Sequence, residues 1–338
     1  MALRHGVVRR TVVRLQGSAF KGVVMGIDNF AARMILHEHR HRPIKGTILT
    51  IGRQSVGFTG EEMDHLLIVT GTPSRKRVYE VDQATVGVSR AKPYITQESF
   101  FGAFTDAKVL SLDVSDYEQA DIVCDLQGAI DKKHHGIADF IYNGSCLDNI
   151  FDPAAAMRNM SRLLKPDGRV YHFEQGNSHP TAYLKYSADW FMDFYALNEF
   201  NDCKVYIADK PNSLGVPLVN PKEIPPRRSE FDIVVYSYNP YVENAGGPGY
   251  DCSSVEAFSR YEIHCIAEKS KVSTDDRTPI QKHYRVDEWH KKLCQASVAR
   301  FFQSKRPAFS SERAFDPATI PRIDSSDYPE QMAPVAVF

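Results

Sequence analysis

The 338-residue chain is 43% hydrophobic and 25% charged, with a formal net charge of −1. That is the make-up of an ordinary globular chain, long enough for one large or two modest domains with a full core. It holds no apolar run long enough to span a bilayer and no signal-peptide pattern, so the expected location is cytoplasmic. Cys124, Cys146, Cys203, Cys252, Cys265 and Cys294 are scattered without CxxC spacing. This argues for reduced thiols and against a disulfide framework or a zinc ribbon.

Residues 1–53 carry ten Lys and Arg against Asp28 and Glu38. A basic arm can sit on anionic lipid, nucleic acid or a phosphorylated substrate. The plainer reading is a solvated helical layer, because no aromatic residues are interleaved for base stacking. Nucleic acid is therefore the weaker partner. Val7 to Leu15 and Ile27 to Leu36 have helix-like patterns, which makes 1–43 a basic helical extension. In His37-Glu38-His39-Arg40-His41 a strand would align three imidazoles, but the segment is full of charge and runs into Pro43. It reads as a solvated junction, and no metal site is expected.

Thr47-Ile48-Leu49-Thr50-Ile51 predicts the first strand, and Gly52-Arg53-Gln54-Ser55-Val56-Gly57 its following loop. The stretch from 58 to 107 is an insertion with helices over Glu61–Val69 and around Gln97–Phe104, and a strand-like 77–81. Phe100, Phe101 and Phe104 have the spacing of core residues. Val109 to Asp113 is the next strand, and its terminal carboxylate could accept from two ribose hydroxyls or simply cap a turn. Ala120 to Leu126 follows as a strand. Ala138 to Tyr142 is another, ending at Asn143-Gly144-Ser145. A helix over Asp152–Leu164 shows apolar positions Ala156, Met157, Met160, Leu163 and Leu164. Lys165-Pro166-Asp167-Gly168 turns the chain into a strand at Arg169–Phe173. Strand, helix and strand in this order make a parallel unit with a right-handed crossover.

The stretch DFIYNGSCLDNIFDPAAAMRNMSRLLKPDGRVYHFEQ resembles the fourth strand, helix, "LLKPGGR" turn and fifth strand of the class I S-adenosylmethionine-dependent methyltransferases. Here Asp167 replaces a glycine of that turn. The resemblance, which covers roughly residues 44–270 at the level of fold, implies a doubly wound, mostly parallel seven-stranded sheet in a domain over 44–303, with helices on both faces and an antiparallel last strand. It implies S-adenosylmethionine as cofactor. Gly52 matches the first glycine of the family's loop, but Gln54 and Val56 replace the next two, and Thr50 stands where an acid is usual. Arg53 and Gln54 are expected to contact the methionine carboxylate. By the same resemblance Asp113 faces the ribose, Asp125 with Leu126 the adenine, and Asn143 and Gly144 approach from beneath. Asp148 is placed at the mouth of the site, where it would orient an acceptor hydroxyl or else cap the next helix. His179, in the loop after the fifth strand, is the expected general base, with a plain surface histidine as the competing reading.

Beyond that loop, residues 183–200 form an aromatic amphipathic helix, and 201–207 and 231–236 two strands. Residues 209–230 make a Pro-rich excursion. The 238–249 segment is a glycine-hinged loop, and 261–269 closes the sheet. A helix over 286–303 is expected to bury Trp289, Leu293, Val298 and Phe302. Residues 304–338 read as an extended or disordered tail that wraps the domain or the second subunit of a homodimer. Tyr183, Tyr186, Trp190, Tyr238 and Tyr241 suit a small polar acceptor such as a sugar or glycan hydroxyl. The alternative is a methyltransferase-like scaffold without activity. A nicotinamide oxidoreductase would need G-x-G-x-x-G after the first strand, which Gly52 to Gly57 lacks.

Overall fold

The computed structural model describes residues 26–75, 78–85, 92–177, 182–210, 233–238, 260–307, 309 and 332–337. In chain order its elements are β1 (Gly26–Ile27), α1 (Asn29–His41), β2 (Thr47–Ile51), β3 (Ser55–Val56), α2 (Gly60–Val69), α3 (Gln97–Gly102), β4 (Lys108–Asp113) and β5 (Ile122–Val123). There follow β6 (Ala138–Gly144), α4 (Pro153–Leu163), β7 (Leu164–Gln175), α5 (Ala188–Leu197), β8 (Asp202–Lys210), β9 (Val234–Tyr238), β10 (Arg260–Glu268), α6 (Glu288–Gln303) and β11 (Met332–Val337).

Among the described residues nine strands form one sheet in the order β11-β9-β8-β10-β7-β6-β2-β4-β5. From β5 to β7 all pairings are parallel, and β10 runs antiparallel between β7 and β8. The chain starts in the middle at β2, builds outward to β4 and β5, then crosses back to β6 and β7. This is the expected doubly wound α/β sheet with its antiparallel last strand. Two further strands, β9 and β11, extend it past seven. The third strand is shorter than the apolar run suggested, with only Ile122 and Val123 paired.

Alternation along the strands divides the core between the two faces. Leu49, Ile51 and Ile141 pack with Met157, Met160, Phe191 and Tyr195 beneath α4 and α5. Ile48, Tyr142 and Tyr171 pack with Phe30, Ile35, Phe100 and Phe101 beneath α1, α2 and α3. The local signals explain the helices. Asp152 caps α4 through Ala155 N (3.0 Å), Pro153 opens it, and Leu164 leaves it directly as the first residue of β7, inside which the expected turn at 165–168 appears as an irregularity in the pairing. In that turn Asp167 takes φ +62°, the left-handed conformation that a glycine would adopt freely. α2 carries a full capping box between Thr59 and Glu62.

Four expectations change. The histidine segment is not a solvated junction but the last turns of α1, where helical geometry puts His39 on the opposite side from His37 and His41. His39 accepts from Ile44 N (3.1 Å) and meets the Phe104 ring edge-on. Between the histidines Glu38 is buried, and it binds Arg169 of β7 (2.5 Å) and Arg306, whose Nε also binds Asp202 (2.6 Å). This cluster fastens α1 and the segment after α6 onto the sheet, so the start of the predicted tail is docked and its end contributes β11. In α6 the buried face is Cys294, Ser297, Val298 and Phe301, while Trp289 and Phe302 are 54% and 41% exposed. Of the expected strand at 77–81, the described residues 78–81 contribute an isolated bridge from Val81 to Ile95. The predicted helix over Val7–Leu15 lies outside the described residues.

Candidate functional site at the strand ends

Register places the candidate residues at one edge. Ile51 pairs with Leu112 on one side and Asn143 on the other, and Gly144 pairs with Phe173. Gly52, Asp113, Gly144 and Glu174 therefore stand at the carboxyl ends of four adjacent parallel strands. The order reverses between β2 and β6, which makes the gap between those two the switch point where α/β sheets bind ligands.

Gly52 turns away from β2 with φ +71° while its N–H donates to Leu112 O (2.7 Å). A Cβ built on Gly52 would lie 3.6 Å from Asp113 Oδ2 and 3.7 Å from Gln54 Nε2, so the three residues share one small space. Glycine is needed there for its backbone, not for room. Asp113 is half-buried, and Ser115 N donates weakly to its Oδ1 (3.3 Å).

Gln54 is only 4% exposed. Its Nε2 donates to Ile51 O (2.6 Å) and Gly52 O (3.3 Å), while its Oε1 is buried with no partner among the described residues. That oxygen presses on Gly144: a Cβ there would overlap it and come within 2.7 Å of Tyr142 Cε1. An unmatched buried acceptor costs about 1–3 kcal/mol. The loop is held from the inserted segment. Gln97 Oε1, at the start of α3, accepts from Gln54 N (2.9 Å) and Thr50 Oγ1 (3.1 Å), and Arg53 pairs with Glu98 (2.9 Å). The insertion thus supports the β2 loop, and Thr50 is spent on that support.

On the α4–α5 side the strand ends carry a buried acid pair. Glu174 accepts from Asn143 Nδ2 (2.6 Å), Leu147 N (3.0 Å) and Asp148 N (3.1 Å). Asp148 accepts from Ser145 Oγ (2.6 Å) and Asn149 Nδ2 (2.8 Å), with Ser145 at φ +61°. Burial pushes the Asp148 carboxyl up to about 6, partly opposed by Ser145 and Lys185. Burial, then the charge of Asp148, holds Glu174 well above the usual carboxylate range despite its three N–H donors. Asp148 is not at the mouth, since it is fully buried, and the cap of α4 is Asp152. Sequence reading missed Glu174, although a carboxylate closing a parallel strand was the available signal. Asn143 turns its side chain to Glu174 and to His172 Nδ1 (3.0 Å), so it supports the loop from within.

Other predicted residues fall elsewhere. Asp125 is exposed and its carboxylate accepts from Gln127 N (2.9 Å), closing its own turn. Leu126 is 5% exposed and belongs to the core under α4, so its side chain packs inward instead of facing a ligand. Arg53 is committed to Glu98. His179 lies outside the described residues. Tyr186 donates to Leu147 O (2.8 Å), and Tyr183 is 70% exposed beside Phe151. A cavity of about 340 Å³ opens between α4 and α5, lined by Met157, Trp190, Asp193, Phe194 and Arg277 among others, and includes none of the strand-end residues. Among the described residues no group of His, Cys, Asp and Glu is placed to hold a metal ion, and no helix is long and apolar enough to cross a membrane.

No family model and no curated protein matches the chain. Solved structures do. The 1,6-didemethyltoxoflavin-N1-methyltransferase of Burkholderia thailandensis, seen with S-adenosylhomocysteine, is 13% identical over 72% of this chain and 78% of its own, with a TM-score of 0.32. The phosphoethanolamine N-methyltransferase 2 of Haemonchus contortus, seen with S-adenosyl-L-methionine, is 15% identical over 71% of this chain, with a TM-score of 0.35. The present chain spans about half of that enzyme (52%). A candidate zinc-dependent alcohol dehydrogenase from Rhodobacter sphaeroides is 16% identical over 53% of this chain and 58% of its own, with a TM-score of 0.25. Likenesses this distant carry neither activity nor substrate to this chain.

Proposed function

We propose that this chain is an S-adenosylmethionine-dependent methyltransferase of the cytoplasm, acting on a small polar acceptor such as a sugar or glycan hydroxyl. The observation that carries the reading is Asp113. Its carboxylate ends the strand next to β2, half-buried beside the left-handed turn of Gly52, at the reversal of strand order. A carboxylate so placed suits the two hydroxyls of a ribose. The motif-grade resemblance between Asp113 and Glu174 supports the same cofactor.

The residues fit the cofactor unequally. Gly52 and Asp113 suit its nucleoside half, with Gly144 at the near end of β6. Asp125 suits the adenine only if it leaves its own turn. Gln54 lies where the amino-acid half would cross toward β6. When bound, the cofactor supplies a methyl group on a positively charged sulfur, so the protein has to orient the acceptor and remove its proton. His179, which follows β7 in the sequence, is our candidate base. Asp148, its side chain held by Ser145 and Asn149, accepts on its carbonyl from Tyr183 N (2.8 Å), four residues beyond that histidine. The catalytic unit spans 44–303, with 1–43 as a basic extension and 304–338 as a tail whose last strand, β11, forms the sheet edge and so suits contact with a second copy in a homodimer.

Calorimetric titration with S-adenosylmethionine tests the reading. Micromolar binding that falls at least about tenfold in Asp113→Ala is expected, since a hydrogen bond to a charged group contributes about 1.5–3 kcal/mol. Absence of binding by S-adenosylmethionine and by adenosine analogues, in folded protein, would overturn it.

A further inference from the structure

At the switch point the crevice between β2 and β6 is filled by the protein itself. The Gln54 side chain crosses it from the β2 loop, anchored by its amide N–H groups to Ile51 O and Gly52 O, and it ends against Gly144 of β6. The contact is close: a methyl at 144 would overlap that end unless the side chain turned away. Yet the end that makes it, Oε1, has no hydrogen-bond partner among the described residues. The side chain is thus tied at one end only.

The two carbonyls it occupies, Ile51 O and Gly52 O, are acceptors for which a ligand's own N–H donors would compete. The nucleoside side keeps access to solvent: Gly52 and Asp113 are half-buried, whereas Gln54, whose amide nitrogen touches the same space from 3.7 Å, is 4% exposed. We propose that Gln54 is a plug in the ligand site, which leaves room for a nucleoside at Asp113 but shuts out a donor-bearing tail extending across to β6 until its side chain turns out. This deepens the proposed function and rests on the nucleoside reading of Asp113.

Rotation of Gln54 breaks the two donations to carbonyl oxygens and frees the partnerless Oε1 for water. A ligand ammonium or amide can replace the lost donations, so turning out is coupled to the ligand's tail. The backbone of the loop need not move, because Gln54 N is held separately by Gln97 Oε1. A substitution that removes the side chain should therefore open the tail site without dismantling the loop.

The test is calorimetric and needs no acceptor. S-adenosylhomocysteine, which has the amino-acid tail, and 5′-deoxy-5′-methylthioadenosine, which lacks it, are titrated into the full chain, into Gln54→Ala and into Gln54→Gly. Thermal melts establish which variants are folded, and either one suffices. In the unaltered chain the two ligands should differ in affinity by no more than about threefold, because the tail gains little. In the variant the tailed ligand should tighten at least about tenfold while the tail-less one stays within about twofold. Tight preference for S-adenosylhomocysteine in the unaltered chain, or weakening of it in both variants, would overturn the plug and leave the nucleoside reading intact. Failure of both ligands to bind any of the three proteins would remove the nucleoside reading, and the plug with it.

Discussion

The carboxylate of Glu174 accepts the main-chain N–H of Asp148 at 3.1 Å, so one buried acid holds the loop that carries another. Neither is exposed, and the two carboxyls feel each other's charge. Such a pair exchanges protons as a unit. It makes the end of β6 a place where stability follows pH.

Asp148 provides the cleanest readout of that coupling. Its carboxyl is raised from 3.8 to about 6 in the folded chain, so between those values the folded state keeps a proton that the unfolded state has lost. Its contribution to stability is therefore largest at low pH and declines as pH rises through about 4 to 6. In denaturant titrations between pH 4 and 7, the native chain should lose up to about 3 kcal/mol more than Asp148→Asn over that window. Asp193, also pushed up by burial to about 6, is present in both proteins and cancels, whereas Glu174 responds to the charge of Asp148, so the difference reports the pair. Parallel curves for the two would show that Asp148 titrates normally.

Arg306 should matter far more than an exposed arginine. Its removal leaves Glu38 with Arg169 alone and takes the guanidinium from Asp202, both acids being almost fully buried. Breaking a buried network in this way costs about 3–5 kcal/mol. Arg306→Ala should show that loss in urea unfolding. Arg42→Ala, which removes an ion pair with Glu268 from a side chain 38% exposed, should cost under about 1 kcal/mol. Similar midpoints for both variants would mean that the segment after α6 is not fastened through Arg306.

Gly144→Ala tests the packing at the switch point. The added methyl meets Gln54 Oε1, which can turn away, and Tyr142 Cε1 at 2.7 Å, which is locked in the core. Overpacking of this sort costs about 1–3 kcal/mol, and the melting temperature should drop accordingly. At Gly128 a methyl finds only ordinary contact, 3.5 Å from Asp125 O, so Gly128→Ala should stay within about 0.5 kcal/mol of the parent.

His179→Ala separates catalysis from binding. With an identified acceptor, turnover should fall about 10²-fold or more while S-adenosylhomocysteine affinity is unchanged. Unaltered turnover would remove the histidine from proton transfer.

Local chemistry made much of the frame legible. Asp152-Pro153 and Lys165-Pro166 bracket α4 because capping and the missing proline N–H act over a few residues. Ile48 and Leu49 announce a strand buried on both faces because side chains alternate about the sheet. Asp113 and Gly52 could be placed at strand ends for the same reason. What the sequence could not disclose is where each side chain spends its hydrogen bonds. Glu38 looked like part of a solvated run, yet it is buried because Arg169 and Arg306, far along the chain, converge on it. Asp125 at a strand end and Asp148 just beyond one both read as facing the site, but one closes a turn in solvent and the other is sealed beneath a loop. Gln54 read as a ligand contact, and only the sheet register, bringing Gly144 level with Gly52, shows it filling the gap. Caps and alternation act between neighbours in sequence, whereas burial and charge pairing are decided by neighbours in space.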